Sequence, residues 1–87
     1  MSYVAECFWP DLRQDVVDEA AERVRQSVAG LAGVELTGTI LMPEDEVVFF
    51  LFDGESADAV REACERAQVR YERVVASVRT GTEESAR

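Results

Sequence analysis

The chain has 87 residues, enough for one domain, and sets nine basic residues, all arginine, against eighteen acidic ones with no histidine, for a net charge of -9. That charge repels phosphate backbones and anionic lipid surfaces, so nucleic acid and membranes are excluded as partners. No apolar run approaches the ~20 residues of a spanning helix and the first residues lack a basic-then-apolar leader pattern, so the expected compartment is the cytoplasm.

Tyr3 to Trp9 alternates with period two and stops at Pro10, which predicts a first strand. From Asp11 the period changes. Leu12, Val16, Ala20, Val24, Val28 and Leu31 recur every three or four residues, with Val17 and Ala21 widening the stripe, as in an amphipathic helix lying on a sheet. Asp11 reads as its N-cap with Gln14 completing a capping box, and Gly30 or Gly33 as a left-handed stop. Val34 to Met42 predicts a second strand, with a bulge or close backbone approach at Gly38. Pro43, Glu44 and Asp45 turn the chain into Val47 to Phe52, so these two strands form a hairpin. Ser56 caps a second helix with the inner stripe Val60, Ala63, Cys64 and Ala67. Val69 to Arg79 predicts the last strand, which closes a domain spanning residues 1–79, and 80–87 reads as a disordered polar tail.

The order strand, helix, strand, strand, helix, strand is the α+β, ferredoxin-like βαββαβ arrangement, with a four-stranded antiparallel sheet and both helices on one face. Six consecutive apolar residues, Val47 to Phe52, leave the third strand no hydrated side. Two helices cover one face of the sheet. The other, with Val48, Phe50 and Phe52, therefore points to a partner subunit, most simply a second copy in a dimeric α+β barrel.

In the first strand Ala5 and Cys7 suit the face beneath the helices, because a glutamate there would need a partner that the helical stripes do not supply. Glu6 then lies on the open face, as a ligand-binding carboxylate or as one half of a salt bridge to Arg73. Tyr71 and Arg73 share that face if Val74, Ala76 and Val78 point to the helices. With Phe8, Phe50 and Trp9 they would form an apolar pocket with a few converging polar groups. The candidate ligand-binding residues are thus Glu6, Phe8, Phe50, Tyr71 and Arg73. Cys7 and Cys64 read as small buried apolar residues, and the acidic turns 44–46 and 53–55 as solvated. No nucleophile elbow, phosphate loop, HExxH or dinucleotide fingerprint is present.

The residues Ala5-Glu6-Cys7-Phe8-Trp9-Pro10, the long helix, the hairpin ending in Phe52 and the helix Ala59 to Ala67 resemble a family of small bacterial ferredoxin-like proteins related to a nickel-binding, nickel-responsive protein. The resemblance spans about residues 3 to 78. Glu6 and Pro10 match the family's first-strand signature, and Val60, Arg61 and Glu62 match its second helix, whereas the family's histidine position is Ala63. It implies a dimer with Glu6 facing a ligand cavity and suggests nickel as the metal, with no metal ligand identified in this chain; nickel prefers nitrogen donors, and no imidazole is present. The expected function is a homodimeric, non-enzymatic binding protein that holds a small ligand or metal ion between open sheet faces. The alternatives are a cofactor-independent monooxygenase or cyclase using Glu6 as base, and an interaction subunit with no ligand.

Overall fold

The computed structural model describes residues 1–78. The expected tail at 80–87, and the end of the last strand at Arg79, lie outside the described residues. The elements are β1 (Ser2–Phe8), α1 (Gln14–Ala29), β2 (Val34–Met42), a 3-10 turn (Pro43–Asp45), β3 (Val47–Gly54), α2 (Ala57–Arg66) and β4 (Arg73–Ser77). They form one antiparallel sheet in the order β2-β3-β1-β4, with β2 and β4 at the edges. This is the ferredoxin-like fold read from the sequence.

The core lies between the sheet and the helices, and its packing is a match of small against large. The helices contribute Val17, Ala20, Ala21 and Val24 from α1 and Val60, Ala63 and Cys64 from α2, all buried. Such small side chains let the helices approach the sheet and leave volume for aromatic rings from below. Phe50 and Phe52 fill that volume beside Val48, Ala5, Cys7 and Tyr3. Val16, expected in the inner stripe of α1, is exposed instead, and Val17 takes its place.

Both helix starts depend on local chemistry, with different outcomes. Ser56 caps α2 as expected, its Oγ accepting from the Ala59 N–H at 3.1 Å. Ser56→Ala is expected to cost about 1 kcal/mol by chemical denaturation, and an unchanged midpoint would contradict the role given to this bond. Asp11 does not cap α1. Its φ of 57° is left-handed and its N–H donates to Glu46 Oε2 at 2.8 Å, so the helix starts later, with Arg13 at the N-cap position and Gln14 bonded to Asp18. At the other end Gly30 keeps a negative φ, while Gly33, at φ 76°, supplies the left-handed residue that sends the chain into β2.

The bulge foreseen at Gly38 is present. Leu36 opposes Phe52 and Gly38 opposes Leu51, so Thr37 is an extra residue, its Oγ1 held by the Leu51 carbonyl at 3.1 Å. One inserted residue exchanges the faces of everything beyond it. Leu36 therefore points to the helices, yet so does Leu41, while Ile40 and Met42 turn to the opposite side. None of the described helices is long and apolar enough to cross a membrane.

Candidate functional site

Cross-strand partners share a face, so the register sorts every strand residue. Ala5 opposes both Phe50 and Val74, and Cys7 opposes Val48; all five are buried under the helices. The alternate set occupies the open face: Val4, Glu6 and Phe8 from β1, Val47, Phe49 and Leu51 from β3, Ile40 and Met42 from β2, and Arg73 and Val75 from β4. Much of that set is bare. Phe8 is 51% exposed, Ile40 47%, Met42 41% and Val75 37%.

This arrangement corrects two of the expected site residues. Phe50 is fully buried on the helix side, its ring centroid 5.9 Å from that of Trp9, and cannot line an open-face pocket. Val48 and Phe52 go with it. An apolar run is symmetric about the sheet plane, and what breaks the symmetry is the room left by alanine-rich helices, which calls for the bulkier phenylalanines. Tyr71 is displaced as well. Gln68 takes φ 58° after α2 and β4 begins only at Arg73, so Tyr71 sits on the connection, packed against the core, with its hydroxyl donating to Glu65 Oε2 at 3.0 Å. Desolvation first, then that bond and the carboxylate charge, raise its phenol above the ordinary value.

Glu6, Phe8 and Arg73 are on the open face as expected. Glu6 and Arg73 oppose each other across β1 and β4 and form an ion pair, Arg73 Nε donating to Glu6 Oε1 at 2.7 Å. Arg73 is 66% and Glu6 30% exposed, so solvent screens the pair and it contributes little to stability in one chain. Trp9 acts as a plug: its indole Nε1 donates to the Arg70 carbonyl at 2.8 Å and its backbone N–H to the Glu46 carbonyl. The first bond pins the connection ahead of β4 against the end of β1, and the second ties that end to the turn ahead of β3.

Both cysteines are buried, Cys7 at the sheet and Cys64 on α2. Burial pushes each thiol up to about 12; the neighbouring Cys64 adds to the effect on Cys7, and the Glu65 charge to that on Cys64. They remain protonated thiols at neutral pH and act as packing groups. Among the described residues no three His, Cys, Asp or Glu side chains converge to hold a metal ion.

The concave part of the open face is not at Glu6. A depression of 480 Å³ lies at the opposite end of the strands, where Ser2, Val4, Leu51, Asp53 and Ser77 meet the Thr37 bulge and Val78. Asp53 Oδ1 there receives the chain's own α-ammonium at 3.2 Å. The sequence offered no direct signal for this site, because it is assembled from three strands, the residue after β4 and one inserted residue of β2.

No family model matches this sequence, and no curated protein matches it. A solved structure does, from a crystal structure analysis of SCO4226 of Streptomyces coelicolor A3(2), with a TM-score of 0.81 at 17% identity over 93% of this chain and 100% of that one. The likeness is one of fold.

Proposed function

We propose that the chain works as a homodimer, paired through its open sheet faces, and serves as a non-enzymatic binding protein for a small molecule held in the cleft between them. The observation that carries this reading is the bare apolar centre of the sheet, where Phe8, Ile40, Met42 and Val75 lie around the half-buried Val4, Phe49 and Leu51. A continuous patch of this kind marks an interaction surface. Charge favours a second copy as the occupant. Most acidic residues lie on α1, α2 and the turns, and the centre of the open face is free of charge; toward its ends stand two ion pairs, Glu6 with Arg73 and Asp53 with the Met1 ammonium, and Glu35 on the edge strand β2. Two such faces can meet through their uncharged centres, and covering them strengthens the Glu6–Arg73 pair by excluding water.

The metal half of this reading does not fit the residues present. The chain has no imidazole, and no three donors converge among the described residues. An organic ligand is therefore the better-supported cargo. Nor is Glu6 a free base in a closed pocket, since its Oε1 is already engaged by Arg73 on an open surface; this disfavours the monooxygenase or cyclase alternative.

Ile40→Glu tests the pairing. In one chain Ile40 is 47% exposed, so the substitution leaves the monomer fold intact. In a two-fold dimer it places two unpaired carboxylates in an apolar interface, which should weaken association by about 100-fold or more. A variant that sediments like the unaltered protein would overturn the proposed interface.

A further inference from the structure

The depression at the far end of the open face has the features of a ligand chamber, and its chemistry narrows the class of ligand. Its volume of 480 Å³ falls in the range of small-molecule sites, about 300–1,000 Å³. The floor is apolar, from Val4 and Leu51, and Val78 stands at its rim, 83% exposed. Hydroxyls of Ser2, Thr37 and Ser77 border it, and the one ionised side chain in its lining is Asp53. The extra residue of the bulge, Thr37, borders the space. Gly38, opposite Leu51, projects no side chain toward it, and the nearest atom to a Cβ built there would be Leu51 Cδ1 at 3.8 Å.

We propose that this depression binds an organic amine with an apolar body, its ammonium on Asp53 and its hydrocarbon part on Val4 and Leu51. The observation that favours a cation is the ion pair already present, in which Asp53 Oδ1 holds an alkylammonium, the chain's own N-terminus, at 3.2 Å. Glu35 stands directly across the strand pair from Asp53, on the same face, and adds a second negative charge beside it. The background charge of -9 disfavours an anion in the same place. Glu6, the carboxylate at the other end of the face, does not line this depression. This inference rests on the proposed pairing of open faces, because a second copy laid over the sheet would close the depression from above and exclude the water that otherwise weakens the ammonium–carboxylate contact.

The test uses the full chain and two probes of similar size and opposite charge, phenethylammonium and 3-phenylpropanoate, titrated by calorimetry and by amide chemical-shift mapping, with sedimentation run on the same samples. The cation is expected to bind and to shift the amides of Val4, Thr37, Leu51, Asp53 and Ser77, while the anion gives neither heat nor shifts. Asp53→Asn should weaken the cation by about tenfold. Acetylating the Met1 amine, which removes the internal competitor, should tighten it. Ser77→Phe, which plugs the depression without altering Asp53, should abolish binding. Equal binding of both probes, indifference to Asp53→Asn, or no cation binding by a dimeric sample would each overturn the assignment while leaving the dimer standing. A monomeric sample that still binds the cation at Asp53 would overturn the pairing and keep the site.

Discussion

Phe50→Ala is expected to destabilise the protein by about 3–5 kcal/mol, whereas Phe8→Ala should leave the stability of a single chain nearly unchanged. The two rings differ by face. Phe50 is fully buried at the middle of β3, between the alanine and valine stripes of α1 and α2, and its loss leaves a cavity that the rigid sheet cannot close. Phe8 is 51% exposed at the end of β1 on the opposite side, where its removal opens no cavity. Urea denaturation at low protein concentration separates the cases, and similar losses from both variants would contradict the face assignment. Since 3–5 kcal/mol is a large part of the stability of a domain this small, Phe50→Ala is expected to be partly unfolded at ambient temperature.

Stability is also expected to fall steeply between about pH 9 and pH 12. The folded thiols of Cys7 and Cys64 are held up to about 12, well above the ordinary value near 9.0 that both regain on unfolding. Below pH 9 both states carry the protons and the thiols impose no pH dependence. Between the two values the unfolded chain releases protons that the folded chain retains, so unfolding is favoured as pH rises. Over that window the effect is roughly 4 kcal/mol per thiol, and the two together are comparable to the whole stability of a small domain. The raised phenol of Tyr71 acts in the same direction at the upper end of the window. Urea midpoints at successive pH values should therefore decline for the natural protein and decline less for the double variant Cys7→Ala, Cys64→Ala. Parallel declines would show that the thiols are not the cause.

The parts of the fold legible in the sequence are those fixed by near neighbours. The limits of β2, the bulge at Gly38, the Ser56 cap and the small-residue stripe of α2 all follow from residues a few positions apart, and the structure has each of them. The departures arise where a distant contact outweighs a local preference. Asp11 has the chemistry of an N-cap, but its backbone is drawn to Glu46, 35 positions away. Tyr71 alternates correctly with Arg73, but the left-handed turn at Gln68 and the bond to Glu65 remove it from the strand. For the candidate site, Glu6 and Arg73 were legible as a facing pair because their strands are the first and last of a known topology. The placement of Phe50 was not, since six apolar residues in succession carry no alternation by which to choose a side. The depression at Asp53 was beyond local reading altogether, as its lining comes from positions 2 to 78.

The central claim is that the bare sheet face is covered by a second copy of the chain, and sedimentation equilibrium over a wide range of protein concentration measures this most directly. The account predicts a species of twice the 9.7 kDa chain mass, dissociating on Ile40→Glu while the circular dichroism of the fold persists. A single species of 9.7 kDa at every concentration would contradict it.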